Sequence, residues 1–235
     1  MEKAVFATID AMVQSIVAGV AEYDNLVADQ CALLMQAAER LVSRLGSPDE
    51  NSSGEERVEA LHKGERAAAM IRNLDLLSRC PPLERHEWLR VVLALDALMG
   101  RIDDALEESE VMCVSGDPTI QAMTLLIHEA SLTLTEGFSA LGQHSRRLRS
   151  QIHPLTGLLD AMEMRYLRSM SSLLSPDHWQ EETTPPMVLA MLKRWMIYRC
   201  LFDIQRHLVT ARDALLALAA MRENRAPQKR ISSHG

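Results

Sequence analysis

From Trp88 onward apolar side chains recur at three- and four-residue steps. Val91, Val92, Leu95, Leu98, Met99, Ile102 and Leu106 form one stripe, which is the helical period. A proline pair, Pro81–Pro82, stops whatever precedes it, and Glu84 and Glu87 supply the acids that favour a helix N-terminus. Asp96 interrupts the stripe, four residues after Val92 and three before Met99. A bare buried carboxylate is very costly. Asp96 must therefore be solvated at the edge of the stripe, hydrogen-bonded, or bound to a cation.

The same period predicts helices along the whole chain. The first runs from about Lys3 to Leu45, with Val5, Ile9, Met12, Ile16, Val20 and Leu26 early in its stripe. Gly46, Ser47 and Pro48 end it. A second runs from Glu55 to Arg79, with Leu61, Ala68, Ile71, Leu74 and Leu77 or Leu76 expected inward, and the third ends near Met112. After a Ser115–Pro118 loop, a fourth is expected from Thr119 to Gln151. A fifth follows, with Pro154 in its first turn, to Leu174. A sixth runs from Met187 to Arg222, after a loop that closes on Pro185–Pro186.

The two halves follow one plan: long helix, medium helix, proline pair, long helix. Leu76-Leu77-Ser78 precedes the first pair and Leu173-Leu174-Ser175 precedes the second. Asp96 lies fourteen residues past Pro82, and Asp203 seventeen past Pro186. The expected fold is all-α, with six long helices as two pseudo-repeated antiparallel three-helix bundles. Residues 1–114 would form the first, 115–222 the second, and 223–235 a disordered tail.

Composition agrees with helices. Hydrophobic residues make up 47% of the 235 and aromatic ones 4%, a Leu-, Ala-, Met- and Val-rich mix that suits helices over sheets. A formal charge of -7 argues against general nucleic-acid binding, which needs a basic face. No charge-free apolar run approaches the ~18 residues of a membrane span, and MEKAVFATID does not read as a secretory signal. Cys31, Cys80, Cys113 and Cys200 are scattered, as reduced thiols of a cytoplasmic protein would be.

Two tandem three-helix bundles are the plan of PhoU, and the chain resembles the PhoU-like accessory proteins of Pit-type phosphate transporters. The local match is Pro82-Leu83-Glu84-Arg85 followed, fourteen residues after the proline, by Asp96. In that family acids four apart share a helix face, and facing pairs hold iron, zinc or similar ions. Carried over, the second-helix pair falls on Leu61 and Glu65 and the third-helix pair on Asp96 and Gly100. The fifth-helix pair falls on Asp160 and Met164, with Glu163 adjacent, and the sixth-helix pair on Asp203 and His207. The resemblance thus implies a first cluster reduced to Glu65 and Asp96, beside His62. It implies a second of Asp160, Asp203, His207 and Glu163, with enough ligands for a divalent or iron-type metal. The alternative is that these acids pair with Arg66, Arg101, Arg165 or Arg206.

Other signals are weaker. Glu59-Ala60-Leu61-His62 is one E-x-x-H, and a di-iron bundle needs two. No phosphate-binding glycine loop and no nucleophile triad is present. The stretches Met162, Met164 and Met170, and Met187, Met191 and Met196, read as core filler or as a partner-binding groove. Arg146, Arg147 and Arg149, with Arg165 and Arg168 downstream, form the densest basic patch, a candidate partner surface.

The expected function is non-enzymatic. The protein would be a cytoplasmic regulator of inorganic phosphate transport, peripheral at the inner membrane. It would bind a membrane phosphate transporter or a signalling protein, with a homodimer as a further partner state. The competing readings are a metal-binding helical bundle and a dimerising signalling adaptor.

Overall fold

A computed structural model describes residues 27–46, 55–79, 82–113, 117–141, 145–175 and 184–225. Among these residues the chain is all-α, with six helices and no strand. α1 covers residues 27–46. α2 is Glu55–Arg79, α3 Pro82–Met112, α4 Pro118–Ala140, α5 Ser145–Leu173 and α6 Pro185–Arg225. The early stripe from Val5 to Leu26, and residues 226–235 of the expected tail, lie outside the described residues.

Proline sets three of the starts. Pro82, Pro118 and Pro185 each open a helix, where the missing N–H would have had no partner anyway. Cys113 ends α3 with a φ of 50°, the left-handed geometry of a helix terminus. Its N–H donates back to the Ser109 carbonyl at 3.0 Å.

Two boundaries differ from the sequence expectation. The fourth helix stops at Ala140 and the fifth begins at Ser145, so Pro154 lies inside α5. Gly142, a residue that favours helix termini, falls in the intervening stretch. Pro154 is tolerated on an exposed side of α5, next to buried Ile152 and Leu155. At the other end, Glu223 belongs to α6 rather than to a tail.

Among α2 to α6, α3 and α6 share the most extensive packing, and α4, α5 and α6 each touch the other two. α1, α2 and α3 are also mutually joined. His62 of α2 reaches the Leu33 carbonyl of α1, Arg40 of α1 reaches Asp103 of α3, and Arg66 of α2 reaches α3 twice. Leu34, Leu41, Leu95, Leu98, Met99, Ile102, Met123 and Ile127 are fully buried, with alanines such as Ala37, Ala105, Ala130 and Ala211 between them. Small residues let the helix axes approach closely while leucine and methionine fill the gaps. The α5–α6 contact includes a parallel stack of Tyr166 on Phe202, ring centroids 4.2 Å apart.

α2 departs from the expected inward face. Leu61, Ile71 and Leu74 are exposed, and the buried positions are His62, Ala69, Asn73 and Leu77. Together with Arg66 these step by four, three, four and four residues, one face of a helix. Of its polar members, His62 and Arg66 meet the α1 and α3 groups described next.

Candidate functional site

Asp103 is the most deeply buried carboxylate among the described residues, its side chain 4% exposed. Its Oδ2 accepts from Arg66 Nη1 at 2.6 Å, and its Oδ1 accepts from Arg40 Nη2 at 3.1 Å. His62 Nδ1 stands 3.8 Å from Oδ1. Arg66 Nε also donates to Asp96 Oδ1 at 2.9 Å. One guanidinium thus spans two carboxylates seven residues apart, about two turns along α3. A Cβ at position 100 would lie 3.3 Å from Arg66 Nη2, so Gly100 makes room for the bridge. Lys63 and Glu107 extend the α2–α3 contact at its exposed edge.

The cation beside Asp96 is therefore Arg66. Glu65 does not join it. Residue 65 is turned about 100° from residue 66. Glu65 is exposed and borders a cavity of about 370 Å3 on the α1–α2 side, with Glu39, Arg40 and His62. Asp96 faces α2 through Arg66, the position that the expected acid would have needed.

The second expected cluster is also not assembled. Asp160 and Glu163 are exposed on α5. Asp203 lies in a recess between α3 and α6, with Arg101, Asp104 and Glu108 across from it, and its Oδ1 is 3.9 Å from Arg206. His207 donates Nδ1–H to the Asp203 carbonyl at 2.8 Å, a bond within the helix that ties up one ring nitrogen. Among the described residues no three His, Cys, Asp or Glu side chains converge as a metal site. The face of α6 toward α5 carries Phe202 and Gln205 instead, and Gln205 Nε2 donates to the Leu159 carbonyl at 3.3 Å.

Beside Asp203, the Cys200 thiol donates to Glu108 Oε2 at 2.8 Å. Burial, then the Glu108 carboxylate, pushes it up to about 12, so it is a thiol and not a nucleophile at neutral pH. Cys31 is likewise pushed up to about 12 by burial.

Asp117 ties α4 to α6. It caps α4, its Oδ1 accepting from the N–H groups of Thr119 at 2.8 Å and Ile120 at 3.2 Å. The Tyr198 hydroxyl donates to its Oδ2 at 2.9 Å, and Arg194 Nε lies 3.5 Å away. Burial and the negative charge of Asp117 push Tyr198 up to about 12, so it remains a donor.

Of the basic patch, Arg149 is exposed and pairs with Glu223 of α6 at 3.0 Å. The side chains of Arg146 and Arg147 lie outside the described residues. Arg165 and Arg168 are separated from Arg149 along α5 and border a different recess, with Arg194 of α6. The Met stretches divide. Met162 is buried, whereas Met164 and Met187 are about half exposed, at 48% and 52%.

No protein-family model matches the chain, and no curated protein does. The resemblance to PhoU-like proteins rests on the sequence alone, on helix order and on the Pro82–Asp96 spacing. Asp103 was legible only indirectly. Asp96 and Asp103 are seven apart and His62 and Arg66 four apart, spacings that place each pair on one helix face.

Proposed function

We propose that the protein is a non-enzymatic, PhoU-like accessory or regulator of inorganic phosphate transport. It docks on the cytoplasmic face of a membrane phosphate transporter, or on a signalling protein, without itself crossing the membrane. The observation that carries the docking reading is a set of exposed apolar side chains where α5 ends and α6 begins. Leu167 on α5, Leu174 just past its end, and Met187, Leu189 and Leu192 on α6, are each about half exposed or more. Large apolar side chains left exposed near one helix junction are candidate contacts for a partner. The link to phosphate comes from the sequence resemblance. No described helix is long and apolar enough to cross a membrane, in keeping with a peripheral partner.

The test is affinity capture of the tagged full chain from membranes, with and without phosphate in the medium. A phosphate carrier should be recovered, and Met187→Asp with Leu192→Asp should abolish its recovery while leaving the thermal transition in place. Recovery of no phosphate carrier under either condition would overturn the transport reading. A dimerising adaptor uses the same surface differently: the wild type would then be a dimer by light scattering, and the double variant a monomer.

A further inference from the structure

A second feature of the α5–α6 end is polar. The C-terminal half of α5, the N-terminal half of α6 and the first turn of α4 border a half-open cavity of about 630 Å3. Arg165 and Arg168 border it from α5 and Arg194 from α6, with the hydroxyl groups of Ser172, Thr119 and Tyr198. Arg194 is 3.5 Å from Asp117. Arg165 and Arg168 have no ion pair among the described residues. Among the described residues, the Asp117 carboxylate meets Tyr198 and Arg194 of the lining, and its oxygens already serve two amides and Tyr198. Among the described residues three guanidiniums thus meet one engaged acid, in a chain whose net charge is -7.

The three arginines are solvent-exposed, so their N–H groups are open to an anion. Arg165 and Arg168 are three residues apart, on one face of α5, and like charges at that spacing repel. Guanidinium forks bind phosphate and carboxylate oxygens in pairs. Three forks offer more N–H groups than one carboxylate can accept, and a tetrahedral phosphate dianion can take all three. The cavity falls in the size range of small-molecule sites, roughly 300–1,000 Å3, which leaves room beyond the phosphate. Met164, Met191 and Leu173 supply an apolar wall for that remainder.

We propose that this cavity binds a soluble organic phosphomonoester. Its phosphate lies among Arg165, Arg168 and Arg194, and its organic part lies against the methionines. The proposal stands on the cavity alone and does not depend on the transport reading.

The experiment is calorimetric titration of the full chain with adenosine 5′-monophosphate, ribose 5-phosphate and glycerol 3-phosphate. Inorganic phosphate, adenosine and citrate serve as comparisons. At least one ester should bind at least tenfold more tightly than inorganic phosphate, adenosine or citrate. Arg165→Ala and Arg168→Ala should each weaken that binding tenfold or more with the thermal transition unchanged, whereas Arg149→Ala, outside the cavity, should leave it intact. Three results would overturn the proposal. They are no ester binding below 1 mM (about -4 kcal/mol), binding that survives the Arg165→Ala/Arg168→Ala double variant, or citrate binding as well as the esters. Binding only to vesicles containing phosphatidic acid would also overturn it, by assigning the anion to a lipid headgroup.

Discussion

The guanidinium of Arg66 occupies the space that a side chain at position 100 would need. A Cβ there would come within 3.3 Å of Nη2, while the same group reaches Asp96 at 2.9 Å and Asp103 at 2.6 Å. Removing Arg66 leaves Asp103 buried with Arg40 and His62 alone. Arg66→Ala should therefore cost about 2–3 kcal/mol in urea unfolding, below the roughly 3–5 kcal/mol of breaking a fully buried pair because Arg66 is part-exposed and Arg40 still holds Asp103. Gly100→Leu should displace the guanidinium and cost a similar amount. The two changes combined should cost much less than their sum, because both remove one bridge. Arg66→Lys should not restore stability, since an ammonium cannot hold two carboxylates a helix turn or more apart.

A second glycine is under tighter constraint. A Cβ at Gly137 would lie 3.0 Å from both Ile152 and Leu215, whereas Gly157 has nothing within 4 Å. Gly137→Ala should destabilise by about 1 kcal/mol, overpacking outweighing the helix-propensity gain. Gly157→Ala should stabilise by roughly 0.5–1 kcal/mol, because only the propensity changes. Thermal unfolding of the two variants should move in opposite directions.

Three groups make the fold sensitive to alkali. Cys31 and Cys200, ordinarily near 9.0, and Tyr198, ordinarily near 10.0, are each pushed up to about 12. The unfolded chain loses these protons first. Their contribution to stability is complete below about pH 9 and falls as the pH rises toward 12. The melting temperature should drop across that window. At pH 8, peptide mapping after brief alkylation should find exposed Cys113 modified well before Cys31 or Cys200.

The dispersed positions of Asp160, Glu163, Asp203 and His207 bear on metal content. A chelator should leave the melting temperature unchanged, and Asp203→Ala should not alter the iron, zinc or manganese measured by elemental analysis. Near-stoichiometric metal that disappears in Asp203→Ala would reverse this reading.

How much of this could be read from the chain alone varies by residue. Proline pairs and apolar periods located six helices because both act locally. The fourth boundary was misplaced because Pro154 looked like a helix start, although α5 carries it on a solvent-facing side. α2 was turned the wrong way because its inward row is His62, Arg66 and Asn73, which an apolar-periodicity reading assigns to solvent. Asp96 was recognised as needing a partner. That the partner is Arg66 depends on how α2 is rotated against α3, which no single-helix pattern encodes. The gathering of Arg165, Arg168 and Arg194 likewise exists only once α5 and α6 are side by side.

Asp117 has a mechanical consequence. The carboxylate that closes the first turn of α4 is gripped by Tyr198 and Arg194, both well along α6. Sliding α6 by even one residue would pull that carboxylate off the amides it satisfies and begin to unwind α4 from its start. The opening of one rod thus reports the position of another, and any occupant that shifts α6 will be felt there first.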